Sequence, residues 1–322
     1  MISAENTDPI VLKIATLAPE GSVWWKELQM MNEEVQSKSD GRLKFVIYPG
    51  GTMGDDGTVL YKLYSGQLDG ASFTGNGLMR IYKDFAALTL PQMFQTHAEV
   101  DYVLSQMDQE LKSAFKKQGY EVLGFTGIGF TYVFSKNPIT SAQEFQKSKA
   151  WLYENDPIMK ALFKAAKVTP IPLGVGDVMT ALQTGLVDTV FNTPTGILAM
   201  QWFTKVNTMT DIPLTHAFGA FLISNKSWEK LPEDLQSLIL AQVQKHLDKI
   251  TDQNRKEDKR ALEIISERGV TIVEPTEKLQ SDFQDISAKA IKSLTNATVS
   301  QKMVTRIESL VNEYRQKTPS NL

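Results

Sequence analysis

The sequence predicts an α/β protein with two lobes. Segments typical of strands and segments typical of helices alternate along most of the chain. The chain has 322 residues, which is more than one hydrophobic core usually accommodates. Two long apolar segments, residues 128–135 and 216–224, are strand candidates that could cross from one lobe to the other. Together these observations favour two α/β lobes joined by crossing strands.

In the N-terminal part of the chain, strand candidates alternate with helix candidates. Residues 10–16, 42–48, 71–74 and 120–125 are predicted strands, and residues 58–64 and 99–118 are predicted helices. Ser22 is placed to cap a helix that starts at Val23. The Gly-rich segment 49–56 lacks the Lys-Ser/Thr ending of a phosphate-binding loop and the spacing of a dinucleotide fingerprint. A tight turn before the next helix is therefore favoured for this segment, with its adjacent aspartates as turn and cap residues.

Residues 141–194 predict a compact strand–helix–strand–helix–strand unit. Ser141 and Glu144 have capping-box spacing, the dipeptide Asp156-Pro157 begins a helix, and Gly185 ends another helix. The strand candidates are 149–153, 169–173 and 187–191. In such units ligands bind beyond the carboxyl ends of the strands, which makes this edge the candidate site. The chain then continues with predicted helices at 233–268, 276–294 and 299–316 and a strand at 269–273.

Composition excludes several classes of function. The net charge is −3 and no long basic run occurs, so no nucleic-acid partner is expected. No apolar run approaches the length of about 20 residues that a membrane helix needs. The chain has no cysteine, which excludes disulfides and thiolate chemistry. Its three histidines, His97, His216 and His246, have no metal or catalytic-triad spacing and are interpreted as structural or solvated. We therefore predict no enzyme activity, no cofactor and no metal.

Several short segments, in a fixed order, carry a resemblance to a known family. They are DGRLK at 40–44, YPGG at 48–51, MG at 53–54, SGQLD at 65–69, ALQTGLVD at 181–188 and WEKLP at 228–232. In these segments the chain resembles the periplasmic solute-binding subunits, of the DctP type, of tripartite ATP-independent periplasmic (TRAP) transporters. The resemblance spans nearly the whole chain.

The resemblance implies a periplasmic-binding-protein-like fold with hinge strands and a long lobe-spanning helix, for which 233–268 is the candidate. Lobe I is assigned to residues 1–127 and 217–255, and lobe II to residues 128–216 and 256–322. The ligand is expected in a cleft between the lobes, which close over it. The small and large membrane subunits of the transporter would then receive the ligand. A periplasmic location is expected, with the signal sequence absent and Met1-Ile2-Ser3-Ala4 interpreted as an added start ahead of a mature chain.

At the position that most informs ligand chemistry, this chain departs from the family. The family typically has an Arg in a Gly-x-x-x-Arg-Val-Pro strand, which binds the ligand carboxylate as a bidentate pair. Alignment on the helix start Asn155-Asp156-Pro157 places Trp151 at that position. A second basic position of the family corresponds to Thr131, and a ligand-binding Asn is retained as Asn192.

These substitutions lead us to expect a hydrophobic or weakly polar ligand, because an unpaired carboxylate in a closed cleft is costly to bury. The candidate ligand-binding residues are Trp151, Asn192, Thr131, Trp24, Phe73, Thr74, Leu173, Val175 and Phe191. The alternative is a small carboxylate bound by Lys147 or Lys149, which would share a strand face with Trp151, or by Arg80 from lobe I. A ligand sensor without a transport partner and, more distantly, an α/β enzyme are further alternatives.

Overall fold

The computed structural model describes residues 8–153 and 156–318. The expected added start at Met1-Ile2-Ser3-Ala4 and the aligned Asn155 lie outside the described residues. The strands are β1 (Ile10–Thr16), β2 (Leu43–Tyr48), β3 (Gly70–Thr74), β4 (Tyr120–Ser135), β5 (Trp151–Tyr153), β6 (Ile171–Leu173), β7 (Thr189–Asn192), β8 (Thr208–Ser224) and β9 (Thr271–Val273). The α-helices are α1 (Val23–Lys38), α2 (Asp56–Tyr64), α3 (Gly75–Ile81), α4 (His97–Lys117), α5 (Ala142–Lys147), α6 (Pro157–Ala166), α7 (Val178–Thr184), α8 (Pro194–Ala199), α9 (Asn225–Trp228), α10 (Glu233–Glu267), α11 (Glu277–Leu294) and α12 (Gln301–Lys317). Short 3₁₀ helices lie at Lys83–Thr89, Val175–Asp177 and Trp202–Thr204.

The described residues form two compact units. Unit 1 contains residues 8–82, 107–126 and 218–253. Unit 2 contains residues 83–106, 127–153, 156–217 and 254–318. The elements α4, β4, β8 and α10 each contribute residues to both units.

The composition of the units differs from the predicted lobes in residues 83–106, which the sequence division placed in lobe I. In the structure these residues pack within unit 2. The backbone N–H of Ser300 donates to Oδ1 of Asp84 at 2.7 Å, and Nε of Arg315 donates to Oε1 of Glu99 at 2.7 Å. Because both partners belong to the C-terminal helix α12 or its cap, this connection is invisible in the local sequence. The assignment of lobes I and II otherwise stays a prediction.

Unit 1 is built on strands in the order β2-β1-β3-β8. Strand β1 is parallel to β2 and β3, and the C-terminal part of β8 is antiparallel to β3. The helix α1 covers this sheet with Leu28, Met31 and Val35, which share one helical stripe. These side chains join a buried cluster with Ile14 of β1 and Ile239 of α10. Strand β3 leads directly into α3, and β1 is connected to α1 by residues 17–22.

Unit 2 contains short strands around two hydrophobic clusters. Strand β7 is antiparallel to β4, β9 is parallel to the start of β8, and β5 and β6 form a separate parallel pair. One cluster contains Phe145, Phe163 and Phe283. The other contains Trp151 and Trp202. The two clusters lie on opposite faces of β7, because residues of both clusters alternate along that strand.

The local signals for helix ends are confirmed. The side chain of Ser22 accepts from the N–H of Trp25, and Asp156 accepts from the first N–H groups of α6. The N–H of Glu144 donates to Oγ of Ser141 at 3.3 Å, which is the capping interaction the sequence predicts. Gly185 ends α7 with a φ of 72°, a left-handed conformation that glycine adopts without strain.

Other elements differ from the prediction. The predicted strands 120–125 and 128–135 form one continuous strand, β4, and β8 begins at Thr208 instead of residue 216. The helices α3 and α8 were not predicted, because they are short and contain Gly or Pro. The predicted long helix is present as α10, with 35 residues.

Candidate ligand-binding site

Trp151 lies in the core of unit 2 with its only hydrogen-bond donor already used. Its Nε1 donates to the carbonyl oxygen of Leu173 at 3.0 Å. Its ring contacts the fully buried ring of Trp202 edge-on, with centroids 5.2 Å apart. Only 7% of Trp151 is exposed. The indole therefore offers a ligand only a small part of its apolar surface and no free N–H.

Half-buried apolar side chains extend the surface beside Trp151. Tyr153, Leu173 and Val175 pack against the same cluster as the indole and keep part of their surface exposed. Tyr153 follows Trp151 on β5, and its register partner on β6 is Leu173. The structure thus brings together three of the predicted residues, Trp151, Leu173 and Val175, as one partly open apolar wall.

Phe191 does not belong to this wall. Its ring packs edge-on against Phe163 at 5.3 Å and Phe145 at 6.2 Å, in the other core cluster of unit 2. Neighbouring residues of a strand point to opposite faces. Phe191 therefore faces away from the surface on which Asn192 lies, so its predicted place in the wall is wrong.

Asn192 ends β7 and is held in one orientation. Its Oδ1 accepts from the N–H of Thr193 at 2.9 Å. Gly196, in the first turn of α8, packs against the carboxamide so closely that a β-carbon there would lie 2.6 Å from Cγ of Asn192. With Oδ1 engaged, the amide nitrogen Nδ2 is the group left to donate to a ligand. The partner of Asn192 across the β4–β7 ladder is Tyr132.

Thr131 precedes Tyr132 on β4 and is also engaged within the protein. Its Oγ1 lies 2.8 Å from Oγ1 of Thr215 and donates to the Thr215 carbonyl at 3.3 Å. The pair of hydroxyls ties β4 to β8. Thr131 can accept one further hydrogen bond, which is a modest contribution to recognition.

The lysines proposed as carboxylate partners do not share a strand with Trp151. Lys147 is the last residue of α5 and is exposed, and β5 begins only at Trp151. The ammonium of Lys149 donates to the carbonyl of Gly185 at 3.1 Å, at the C-terminus of α7. A cation at a helix C-terminus is a common stabilising arrangement. The predicted common face of Lys147, Lys149 and Trp151 is therefore wrong.

Two acids act on Tyr132, the register partner of Asn192, a feature that sequence reasoning missed. Asp258 of α10 accepts hydrogen bonds from the N–H of Thr195, at 3.0 Å, and from its hydroxyl. Burial raises the pKa of Asp258 above its usual value, although the hydrogen bonds from Thr195 oppose the shift. Burial also raises the pKa of Asp211, with a further contribution from the charge of Glu274. No sequence signal marks Asp258, because it lies within a long charged helix.

In unit 1 the predicted residues lie in the first turn of α1 and at the end of β3. Nε1 of Trp24 donates to Oγ of Ser72 at 3.0 Å. Phe73 is buried in the core. The hydroxyl of Thr74 donates to Oδ2 of Asp56 at 2.5 Å, and burial raises the pKa of Asp56 to about 6. As in unit 2, most of the polar atoms of the predicted residues have partners within the protein.

Arg80 is exposed at the end of α3. It lies near Gly57, where a β-carbon would come within 3.5 Å of Nη1 of Arg80. The pKa of Asp55 is lowered, first by hydrogen bonds from Thr58 and also by the charge of Arg80. Arg80 therefore already interacts with an acid of unit 1.

The histidines show no catalytic or metal arrangement in the described part of the chain. His97 and His216 stack edge-on with centroids 5.6 Å apart, and Phe130 covers both rings. His246 is buried and its Nδ1 lies 2.7 Å from Oε2 of Glu27. No group of three or more His, Asp or Glu side chains among residues 8–153 and 156–318 is arranged to hold a metal ion.

Comparison with known proteins identifies the family. Residues 14–298 match the model of the family DctP, described as "Bacterial extracellular solute-binding protein, family 7". The chain belongs to this family. Members of this family are receptors without enzymatic activity, so the chain is a binding protein and the distant enzyme alternative is excluded. None of the helices in the described residues is both long enough and apolar enough to span a bilayer.

Relatives of this DctP-family chain align with most of its length. It is 25% identical to a solute-binding protein of Roseobacter denitrificans over 317 residues, which is 97% of this chain and 94% of the relative. It is 24% identical to the C4-dicarboxylate-binding periplasmic protein DctP of Vibrio cholerae over 272 residues, covering 81% of this chain and 79% of the relative.

Solved structures show the same fold. The sugar acid binding protein DctPAm of Advenella mimigardefordensis, in complex with galactonate, is similar with a TM-score of 0.87 and 20% identity, covering 96% of this chain and 99% of that protein. A TRAP periplasmic solute-binding protein of Ochrobactrum anthropi is similar with a TM-score of 0.86 and 23% identity, covering 95% and 96%. The chain therefore has the two-lobe α/β fold of periplasmic binding proteins with a long helix, as the sequence predicts.

Proposed function

We propose that this DctP-family chain is a periplasmic receptor for a small hydrophobic or weakly polar organic ligand, which it delivers to the small and large membrane subunits of a TRAP transporter. The observation that carries the proposal is the apolar environment of Trp151. At the position where the family resemblance implies a carboxylate-binding Arg, the chain has an indole packed on Trp202 with its N–H bonded to Leu173. A ring edge in that position favours apolar contact with a ligand.

The charges around this surface also favour a ligand without a carboxylate. Lys149 is engaged at the C-terminus of α7, and Lys147 lies on the exposed end of α5. Burial raises the pKa of the Tyr132 phenol, and the negative charges of Asp211 and Asp258 raise it further. A buried ligand carboxylate needs a cation or several donors, and its burial without them costs several kcal/mol. This part of unit 2 offers donors such as Nδ2 of Asn192 and an excess of negative charge.

Apolar burial can supply the affinity that an ion pair supplies in a carboxylate receptor. Leu173, Val175 and Tyr153 are only half-buried, so a ligand that covers them removes apolar surface from water. Such burial contributes roughly 25 cal/mol per Å². For a ligand of metabolite size, this is enough for micromolar binding after the costs of association.

A second candidate is a small carboxylate, and the ligands of relatives favour it. Similar proteins were solved with bound galactonate and with bound succinate, and the Vibrio cholerae relative is a C4-dicarboxylate-binding protein. In this chain Lys147, Lys149 or Arg80 would have to take the place of the family Arg. The engaged ammonium of Lys149 and the acidic surroundings of Arg80 count against that role.

Native mass spectrometry of protein purified without refolding, followed by thermal shift against a metabolite library, tests the proposal. We expect a co-purified or library ligand without a carboxylate that raises the melting temperature, because a ligand that binds only the native state stabilises it. The shift should be lost in Asn192→Leu and retained in the control Lys149→Ala. A bound small dicarboxylate that is lost in Lys149→Ala would overturn the hydrophobic-ligand proposal.

Closure of the two lobes around the ligand is part of the same proposal. Hinged receptors bend at a few strand residues when they bind, and β4 and β8 each contribute residues to both units. Small-angle scattering at ligand saturation should give a smaller radius of gyration than scattering without ligand. An unchanged radius of gyration would contradict closure of the lobes. It would not test the proposed ligand class.

A further inference from the structure

We infer that Asp258 is a specificity determinant that excludes anionic ligands from the site around Asn192. The inference rests on the proposed function and deepens it, because it names the side chain that rejects carboxylates. Asp258 contributes to no predicted ligand contact and is not among the residues that the family resemblance implies.

Contacts with Thr195 and Gly129 hold the carboxylate of Asp258 near the end of β7. Its Oδ1 accepts from both the backbone N–H and the hydroxyl of Thr195, three residues after Asn192. Its Oδ2 lies against the α-carbon of Gly129, where any β-carbon would overlap with the carboxylate. The same β-carbon would lie 3.4 Å from Cγ2 of Thr193. The carboxylate thus occupies a recess that only glycine at position 129 leaves open.

The charge of Asp258 affects the pKa of a neighbouring side chain, Tyr132. The pKa of Tyr132 is raised to about 12, by burial and then by the negative charges of Asp211 and Asp258. Tyr132 is the register partner of Asn192 in the β4–β7 ladder. The charge of Asp258 therefore acts at the strand pair that presents the proposed ligand donor.

The nearby cations do not neutralise this charge. Arg255, one turn earlier on α10, has its Nη2 at 2.5 Å from Oδ1 of Asp101. Lys259, the next residue along the helix, is exposed. Asp258 itself is 9% exposed, so its field is screened less than that of a surface carboxylate. Like charges brought together in a closed site cost several kcal/mol.

Protonation of Asp258 would remove the repulsion. Burial raises the pKa of Asp258, while the hydrogen bonds from Thr195 favour the ionised form. Acidification therefore neutralises this carboxyl before it neutralises an ordinary aspartate. If Asp258 excludes anions, affinity for a carboxylate ligand increases as the pH falls, and affinity for a neutral analogue does not.

The test compares matched ligands by calorimetry on three proteins. The ligand pairs are galactonate with galactonamide and succinate with succinamide, and the proteins are the wild type, Asp258→Asn and Asp285→Asn. Asp285 is an exposed acid of unit 2 and serves as the control for loss of one charge. We expect Asp258→Asn to improve carboxylate affinity relative to the neutral analogue by about tenfold or more, which corresponds to roughly 1.4 kcal/mol. Asp285→Asn should leave the ratio unchanged.

Two outcomes contradict the inference, and only one of them also contradicts the proposed function. Tight carboxylate binding by the wild type contradicts both the proposed ligand class and the exclusion of anions by Asp258. An unchanged carboxylate-to-neutral ratio in folded Asp258→Asn overturns the role of Asp258. If Asp258→Asn does not fold, Asp258→Ser takes its place in the same comparison. An unchanged ratio of galactonate to galactonamide affinity in that variant overturns the inference as well.

Discussion

Gly196 and the side chain of Asn192 lie so close together that a side chain at position 196 would displace one of them. A β-carbon on Gly196 would lie 2.6 Å from Cγ and 2.8 Å from Nδ2 of Asn192. Contacts under 3.0 Å are far inside van der Waals separation, so one of the two groups must move. Because the end of the Asn192 side chain is the softer partner, the carboxamide rather than the backbone of α8 is expected to shift.

We therefore predict that Gly196→Ala weakens ligand binding without unfolding the protein. Alanine favours a helix over glycine by about 1 kcal/mol, which offsets part of the clash. The ligand affinity should fall about tenfold or more, since the orientation of Nδ2 is lost. Thermal shift with the identified ligand, compared with Gly176→Ala, measures this effect. Gly176 has no neighbouring atom within 4 Å of a β-carbon, and equal losses in both variants would contradict the assigned role of Asn192.

A second prediction concerns stability at low pH. Burial lowers the pKa of His216 to about 3, and the charges of His97 and Arg255 add to the shift. The folded pKa is below the unfolded value of about 6.5, so the unfolded state binds the proton first. The stability contributed by neutral His216 is therefore complete above pH 6.5 and is lost as the pH falls toward 3. Between pH 7 and pH 5 this amounts to about 2 kcal/mol.

His216→Gln isolates this effect from other titrating groups. The raised pKa of Asp56, about 6, has the opposite sign, because protonation of this buried carboxyl stabilises the fold as the pH falls. Comparing the change in melting temperature from pH 7 to pH 5 in wild type and His216→Gln cancels that contribution. The variant should lose less stability than the wild type over this range. Equal slopes would show that His216 is not a determinant of acid sensitivity.

Features encoded by neighbouring residues were predictable from the sequence. Ser22 caps α1, and β1 has the predicted bounds. Gly185 ends α7 because a left-handed residue is needed there. In each case a short pattern and its own backbone conformation decide the outcome, and no distant residue is involved.

Features of the site that depend on distant contacts were not predictable. Phe191 was expected beside Trp151, but the alternation along β7 places it in the opposite cluster. The partner of Lys149 is a carbonyl 36 residues away in sequence. Asp258 reaches Thr195 across 63 residues. Side-chain patterns along one segment carry no information about such pairings, which require the register and packing of the complete fold.

A third prediction concerns the buried contact between His246 and Glu27 in unit 1. Nδ1 of His246 lies 2.7 Å from Oε2 of Glu27, and both side chains are 2% exposed. Removing one partner leaves a polar or charged group buried alone, which typically costs 3–5 kcal/mol. We expect Glu27→Leu and His246→Leu each to be destabilised by several kcal/mol in chemical denaturation. The double variant should be less destabilised than the sum of the two single variants, because neither partner is left behind.

A surface pair gives the matched control for this cycle. Lys278 and Asp282 form an i,i+4 pair at 3.1 Å, with the lysine side chain 82% exposed. Exposed pairs of this kind contribute about 0.3–0.5 kcal/mol. Lys278→Ala should therefore change the free energy of unfolding by less than 1 kcal/mol. Additive losses in the Glu27/His246 cycle would show that the two side chains are not energetically coupled.

The last prediction separates the two ligand classes through Lys149. Its ammonium donates to the Gly185 carbonyl at 3.1 Å, so its expected role is to stabilise the C-terminus of α7. Lys149→Met keeps most of the aliphatic chain and removes the charge, and interactions of this type contribute about 0.3–1 kcal/mol. We therefore expect a small decrease in melting temperature and an unchanged ligand-induced shift. Trp151→Phe, by contrast, leaves the Leu173 carbonyl without its hydrogen-bond donor. This loss lowers the free energy of unfolding by about 1–3 kcal/mol. The smaller ring also reduces the apolar surface that the ligand can contact. If ligand affinity falls in Lys149→Met and not in Trp151→Phe, the lysine binds the ligand and a carboxylate ligand is favoured.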